Sequence, residues 1–292
     1  MNRSSSSGVL QTKLADIAIA ASQLPGLRVL AEPLKRQRSI LRWRERRHLA
    51  YFLSEAGFAS FYGVFRSFSE ARDSLPKTRE HNQRALAAGY VDVRCHRVFC
   101  YDYPVIYWLS EAFRIGATSV FDIGGSVGVH YHAYKQVLAY PQSLTWQVCD
   151  VPDIAQVGRE LAAGSGATQL TFTETLDTGS VQADVWISAG AIHYIEDARP
   201  SSLLTTCKHR PGHLILNKLP LYEGSDFVSA QNIGENSFAP QYVYNRQRFI
   251  TDIECLGYRL VDAWEVPECK FYLPGHPEKS FTTFSGLYFR AD

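Results

Sequence analysis

The sequence has no C-x-x-C pair. Its six cysteines, Cys95, Cys100, Cys149, Cys207, Cys255 and Cys269, are dispersed, which excludes a zinc or disulfide framework and makes a reducing cytoplasm the expected setting. It has no charge excess either: 30 Lys plus Arg face 29 Asp plus Glu, a net charge of +1, so any electrostatic preference is local and not global. Long uncharged runs are missing. The apolar patch near the start is interrupted by Lys13 and Asp16; it falls short of the roughly 20 apolar residues of a membrane span, and a secretory signal is not expected there. Apart from serines at 4–7 there is no low-complexity tract, and there is no internal repeat, which excludes a solenoid. What is present is an ordinary globular balance, 46% hydrophobic and 20% charged over 292 residues, enough for a large core in one or two domains.

Two regions differ in character. Up to about residue 112 the chain is rich in Arg and aromatics, and Leu27, Leu30, Leu34 and Leu41 share one helical face, with Pro33 where a helix can begin. Residues 35–48 pack seven Lys or Arg against one Glu. That stretch reads as a solvated helix face, as a basic interfacial helix against anionic lipid with Trp43 on its apolar side, or as a nucleic-acid contact. From residue 113 onward, strand-type runs at 118–123, 144–149, 169–173, 184–188 and 213–217 alternate with helical runs at 129–138, 153–163, 198–207 and 246–256. Such alternation predicts crossover units and a mostly parallel sheet. The last two strands, 258–264 and 281–290, are joined by a loop and no helix, so they are expected to pair as an antiparallel hairpin. The organisation expected is therefore α/β, with a helical extension over 1–112 and the sheet domain over 113–292.

The most informative run is FDIGGSVG, in which an apolar strand reaches Asp122 and then Gly124, Gly125, Ser126 and Gly128 make a tight turn into a helix. A turn almost without side chains lets backbone approach a ligand beside the helix amides, at the carboxyl end of the first strand. The dinucleotide pattern G-x-G-x-x-G is not satisfied, because Ile123 holds its first position when Gly125 and Gly128 are its last two. The run resembles motif I of the class I S-adenosylmethionine-dependent methyltransferases, with Ser126 where the middle glycine is usual, a substitution that matters if the position needs a positive φ.

The resemblance covers about residues 116–292, with its motifs in order, and implies a Rossmann-like methyltransferase sheet with S-adenosylmethionine as cofactor. It places Asp150, in CDVP, at the ribose hydroxyls, a task suited to a two-oxygen acceptor. It places Glu174 and Leu176 at the adenine, and the small-residue turn with Ser188 and Ala189 beside the methionine part. More loosely, Gly63-Val64-Phe65, Tyr103-Pro104, Tyr107-Trp108-Leu109 and NRQRFITDIECLGYRLVDAW resemble a bacterial group of methyltransferases associated with surface-polysaccharide genes, which implies O-methylation of a sugar hydroxyl in a glycan or its lipid-linked precursor.

Methyl transfer is an in-line displacement, so alignment and exclusion of water carry most of the catalysis. His193, after the fourth strand, is the first candidate base, since imidazole titrates in the useful range; the alternative is a His that only packs. His130 and His132 point to different helix faces. Residues 219–245 read as a long polar and aromatic loop covering the substrate, with Glu223, Asp226, Gln231 and Asn232 as hydrogen-bonding groups and Tyr222, Phe238 and Tyr242 as ring platforms. No acidic cluster for a metal stands near the fourth strand. A nucleic-acid methyltransferase is disfavoured because S-A-G-A-I-H follows that strand in place of a D/N/S-P-P-Y/F run. A non-catalytic member of the same fold remains open.

Overall fold

The structure is a computed structural model that describes residues 38–292; Leu27, Leu30, Leu34, Pro33 and the start of the basic stretch lie outside the described residues. Seven strands form the main sheet: β2 (Ser119–Ile123), β3 (Thr145–Cys149), β4 (Leu170–Thr173), β5 (Val185–Ala189), β6 (His213–Leu219), β10 (Tyr258–Val266) and β11 (Phe284–Ala291). Their order is β10-β11-β6-β5-β2-β3-β4. Every pair from β6 to β4 is parallel, whereas β11 runs antiparallel to both β6 and β10. The mostly parallel, Rossmann-like α/β sheet and its terminal antiparallel hairpin are thus as the alternation predicts.

Strand periodicity splits the core in two. Val120, Trp146, Val148, Val185, Ile187 and Ile215 face one layer of helices, with Val105 and Leu109 of α4 (Tyr103–Arg114) and Tyr131 and Tyr134 of α5 (Val129–Tyr134). Their neighbours Phe121, Ile123, Trp186, Leu214 and Leu216 face the other, with Leu203 and Leu204 of α7 (Pro200–Thr206) and Phe249 and Ile253 of α8 (Arg246–Glu254). Side chains one residue apart on a strand point to opposite faces, so a central strand covered on both sides must be apolar throughout. The sixth helix, α6 (Pro152–Ser165), opens on a proline at its first turn and ends on Gly166 at φ +64, the asymmetry expected of helix ends.

The extension is not helical alone. Besides α1 (Arg38–Phe52), α2 (Phe68–Asp73) and α3 (Arg84–Asp92), it supplies β1 (Phe61–Phe65). β1 pairs with β8 (Phe227–Gly234), which pairs with β9 (Ser237–Asn245), and the short β7 (Leu221–Tyr222) completes a second, four-stranded sheet. Residues 219–245 are therefore a β-hairpin and not a loop. Asn232 is consumed internally: it donates to the carbonyls of Phe52 (2.7 Å) and Ser54 (3.0 Å) and accepts from Gly234 N–H at 2.9 Å. Glu235 and Asn236, at φ +49 and +51, form the two-residue turn whose twist suits a hairpin. Ser229 and Gln241 are fully buried.

Of the basic helix α1, Arg44 donates to the Tyr272 hydroxyl at 2.7 Å and His48 meets the Phe61 carbonyl at 2.8 Å, while Arg42 and Arg46 are exposed. Among the described residues no helix is long and apolar enough to cross a membrane.

Candidate active site

A cleft of about 1140 Å³ opens at the carboxyl ends of the parallel strands, between the glycine turn, the extension and the tip of the β8-β9 hairpin. Its floor is the turn. Gly124 N–H donates to the Cys149 carbonyl at 2.8 Å, and the Gly125 carbonyl accepts from Gly128 N–H and Val129 N–H, each at 3.1 Å. Gly124 stands at φ +70 with room for no side chain, because an added Cβ would lie 2.1 Å from the Ala191 Cβ. Gly125 is required for a different reason: its Cβ would lie 2.3 Å from Asp122 Oδ2.

Asp122 does not line the cleft. It is fully buried beneath the turn, where Oδ2 accepts from His130 Nδ1 at 2.9 Å and Trp146 Nε1 at 3.2 Å. The expected cofactor contact is therefore indirect: Asp122 supports the turn, and it fixes the ring of His130, which does line the cleft. Gly128, at φ +87, likewise serves the turn into α5 and packs close to Leu170.

Ser126 occupies a position that does require a positive φ, +55, and it faces the cleft with its hydroxyl buried and without a partner. A non-glycine residue in that region costs roughly 1–2 kcal/mol. Ser126→Gly is therefore expected to raise the stability of the free protein by about 1 kcal/mol, since glycine's own entropy cost offsets part of the gain; chemical denaturation measures it, and a loss of stability would show that the hydroxyl is satisfied.

Asp150 ties the second strand's exit to this turn. Its Oδ2 accepts from Ser126 N–H and its Oδ1 from Val151 N–H, both at 2.8 Å, leaving each oxygen a further lone pair toward the cleft. Burial pushes its carboxyl up to about 6, against the opposing pull of the two backbone N–H groups and with a smaller contribution from Asp122. Glu174 and Leu176 reach the cleft from the end of β4; the Glu174 carboxylate is also bonded to Arg159. Ala189 lines the cleft, but Ser188 does not: it is buried, donating to the Ile123 carbonyl at 2.9 Å and accepting from Ile192 N–H at 3.2 Å.

His193 lies outside the lining, buried with its ring centroid 4.2 Å from that of Tyr194 and its Nδ1 without a partner. Burial, then His81 and Lys218, lower its pKa to about 3. Besides His130, the imidazole that meets the cleft is His81, from the extension, its ring centroid 4.7 Å from that of Tyr194 and its pKa lowered to about 4 by burial. Of the expected substrate residues, Gln231 lines the cleft and accepts from the Tyr194 hydroxyl. Asn232 lines it with its amide already committed to the extension. Tyr222, Glu223 and Asp226 are elsewhere: Tyr222 stacks on Phe281, Glu223, 82% exposed, pairs with Arg246, and Asp226 pairs with Arg199 at 2.8 Å. Phe238 and Tyr242 pack against Phe52 and Phe68.

Sequence reasoning missed His81, Tyr90, Arg94, Tyr194 and Lys218, all in the lining. Tyr194 adjoins the motif that contains His193 and was within reach of it. Among the described residues no group of three His, Cys, Asp or Glu is arranged to hold a metal.

No family model matches the chain, and no curated protein matches it. Solved structures do. The N-terminal domain of EvdMO1, crystallised in the presence of S-adenosylhomocysteine and D-fucose, is 14% identical over 74% of this chain and 100% of that one, with a TM-score of 0.46. Magnesium protoporphyrin IX methyltransferase from Synechocystis PCC 6803, with bound S-adenosylhomocysteine, is 16% identical over 76% and 92%, at 0.44. 1,6-didemethyltoxoflavin-N1-methyltransferase from Burkholderia thailandensis is 14% identical over 74% and 92%, at 0.43.

Proposed function

We propose that the chain is an S-adenosylmethionine-dependent methyltransferase acting on a hydroxyl of a small molecule or glycan, with a surface glycan or its lipid-linked precursor as the acceptor class. The observation that carries this reading is the coupling of the left-handed turn at Gly124–Ser126 to the Asp150 carboxylate at the floor of the cleft. The residues present fit the nucleoside: the orphaned Ser126 hydroxyl offers a polar contact, Gly124 keeps the floor bare, and Asp150 retains acceptor capacity for two ribose hydroxyls. Glu174 and Leu176 would meet the base, and Ala189 the methionine part. When bound, the sulfonium supplies an electrophilic methyl group.

The chain's own contribution is alignment and dryness. The hairpin tip, Gly234 to Asn236, and the extension close over the sheet edge and exclude water, so that acceptor oxygen and methyl carbon meet at roughly 3–3.5 Å. A hydroxyl becomes acidic only as its bond to carbon forms, so a neutral imidazole is a sufficient proton acceptor. We assign that role to His81, which faces the cleft uncharged, and assign His193 to support of Tyr194 from behind. His81→Ala is expected to lower turnover about 100-fold with cofactor affinity unchanged, the low side of general-base effects because the proton leaves late; steady-state kinetics with S-adenosylhomocysteine titration checks both. A larger effect for His193→Ala than for His81→Ala would reverse the assignment.

Binding should also depend on pH. The ribose hydroxyls donate to an ionised carboxylate, so affinity for S-adenosylhomocysteine is expected to fall as pH drops through about 6, and Asp150→Asn to abolish that dependence. The sign for the free protein is opposite. A carboxyl raised above its ordinary 3.8 favours folding while protonated and loses that contribution as pH rises toward about 6. Calorimetry between pH 5 and 8 reads the first effect.

The exposed Arg42 and Arg46 of α1 belong to the same proposal as a peripheral contact with an anionic inner-membrane surface. The acceptor is tested by incubating the protein with labelled S-adenosylmethionine and extracted glycans of its host. Label in a base-stable sugar ether supports the reading, and label only in RNA contradicts it.

A further inference from the structure

Among the described residues, two cations in the cleft wall form no ion pair, and neither takes part in the mechanism above. Arg94 comes from the short turn after α3 and Lys218 from the end of β6, and both line the cleft. Both approach one ring. The Arg94 guanidinium carbon is 5.4 Å and the Lys218 ammonium 5.0 Å from the centre of Tyr101. The guanidinium also lies 4.7 Å from the Phe99 ring centre and donates to the Tyr101 hydroxyl, while its Nε is buried without a partner. Among the described residues neither cation forms an ion pair. The carboxylate nearest at hand, Asp102, is buried with its oxygens accepting from Phe99 N–H (2.9 Å) and the Tyr134 hydroxyl (3.1 Å).

The arrangement is built. Asn217, fully buried, donates to the Tyr101 carbonyl at 2.8 Å and accepts from Lys218 N–H and Trp264 Nε1, each at 3.0 Å. It thereby fixes the Tyr101 segment to the end of β6. Lys218 itself is held at φ +55, with its side chain against Gly190, where an added Cβ would lie 2.9 Å from Lys218 Cε. A left-handed lysine and two like charges beside one ring cost energy that an anion between them would offset. Lys218 stands at about 8, lowered chiefly by burial and then by Arg94.

We propose that Arg94 and Lys218 form a subsite for an oxyanion, a phosphate or carboxylate, carried by the methyl acceptor. The inference rests on the methyltransferase reading for the identity of the ligand, not for the charge of the site. Asp150, at the ribose, leaves β3, whereas Lys218 leaves β6, three strand spacings away in the order β6-β5-β2-β3, or roughly 14 Å. Lys218 thus stands three strands across the cleft from the nucleoside carboxylate, on the side left for the acceptor, and Arg94 joins it at the Tyr101 ring. A planar, bidentate Arg and a point-charge Lys are the combination that grips phosphate or carboxylate.

The test uses the full chain saturated with S-adenosylhomocysteine and compares thermal unfolding in pyrophosphate with that in potassium chloride of equal ionic strength. Pyrophosphate at ten times its Kd is expected to raise the midpoint by about 3 °C. Arg94→Gln and Lys218→Gln should each lose that rise while keeping S-adenosylhomocysteine affinity within about threefold, and Arg94→Lys should retain part of it. Absence of a rise in the wild type, or a rise unchanged in the variants, would overturn the subsite. So would a rise seen only without S-adenosylhomocysteine, or about tenfold weaker cofactor binding in both variants, since either gives the cations to the cofactor's own carboxylate. If S-adenosylhomocysteine does not bind at all, the methyltransferase reading fails, and the same pyrophosphate comparison on the free protein still decides the subsite.

Discussion

Replacing Asp150 by Ala is expected to lower affinity for S-adenosylhomocysteine by a factor on the order of 10² to 10⁴, because hydrogen bonds to a charged group contribute about 1.5–3 kcal/mol each and two ribose hydroxyls lose theirs. The substitution also frees Ser126 N–H, which the carboxylate holds at 2.8 Å, so the turn loosens and part of the loss arises from poorer organisation of the floor. Asp150→Asn separates the two contributions. It keeps an acceptor for Ser126 N–H but loses the charge and one of its acceptor oxygens, and it should fall between wild type and Ala. Titration calorimetry checks the series, and an Ala variant that binds like wild type would remove Asp150 from the site.

Gly124→Ala is expected to be the most damaging single change to the fold of the site. Its φ of +70 strains any side chain, and its Cβ would meet the Ala191 Cβ at 2.1 Å. Left-handed strain of roughly 1–2 kcal/mol and overpacking of roughly 1–3 kcal/mol together give about 3–4 kcal/mol of lost stability. Ala191 lies in the segment that follows β5, so the two halves of the cleft floor would separate and cofactor binding would go with them. Denaturant unfolding with a circular-dichroism readout checks this. The double variant Gly124→Ala with Ala191→Gly is informative, since it removes the collision and should recover the overpacking part while the φ strain stays. A single variant as stable as wild type would mean that the turn adopts another conformation.

Much of this site could be read in the residues because its chemistry is local in the chain. The left-handed turn needs Gly124 and Gly128 wherever the strand lies, and strand-helix alternation places Asp150 one crossover unit after Asp122 without any tertiary knowledge. Ser126 was the single departure from the resemblance, and its position does need a positive φ. What was illegible depends on pairing between distant segments. β8 reads as a loop because Ser229, Gln231 and Asn232 are polar, yet β1 arrives from more than 160 residues away to pair with it, and Ser229 and Asn232 are buried. Tyr222 and Glu223 were drawn into the substrate site by that loop reading, and the hairpin turns them toward Phe281 and Arg246 instead. His81 and Arg94 carry no local signal, since only the packing of the extension over the sheet edge brings them to the cleft. Asp122 shows a subtler limit. Its residue type and spacing identify the turn, but Trp146 and His130 bind it from below, so its role passes through Gly125.

Crystals grown with S-adenosylhomocysteine address the reading at its root. Electron density for the nucleoside should lie over residues 124–126, with both ribose hydroxyls within hydrogen-bond distance of the Asp150 carboxylate. Density for the nucleoside anywhere else, or a floor that admits no ligand at saturating concentration, would contradict it.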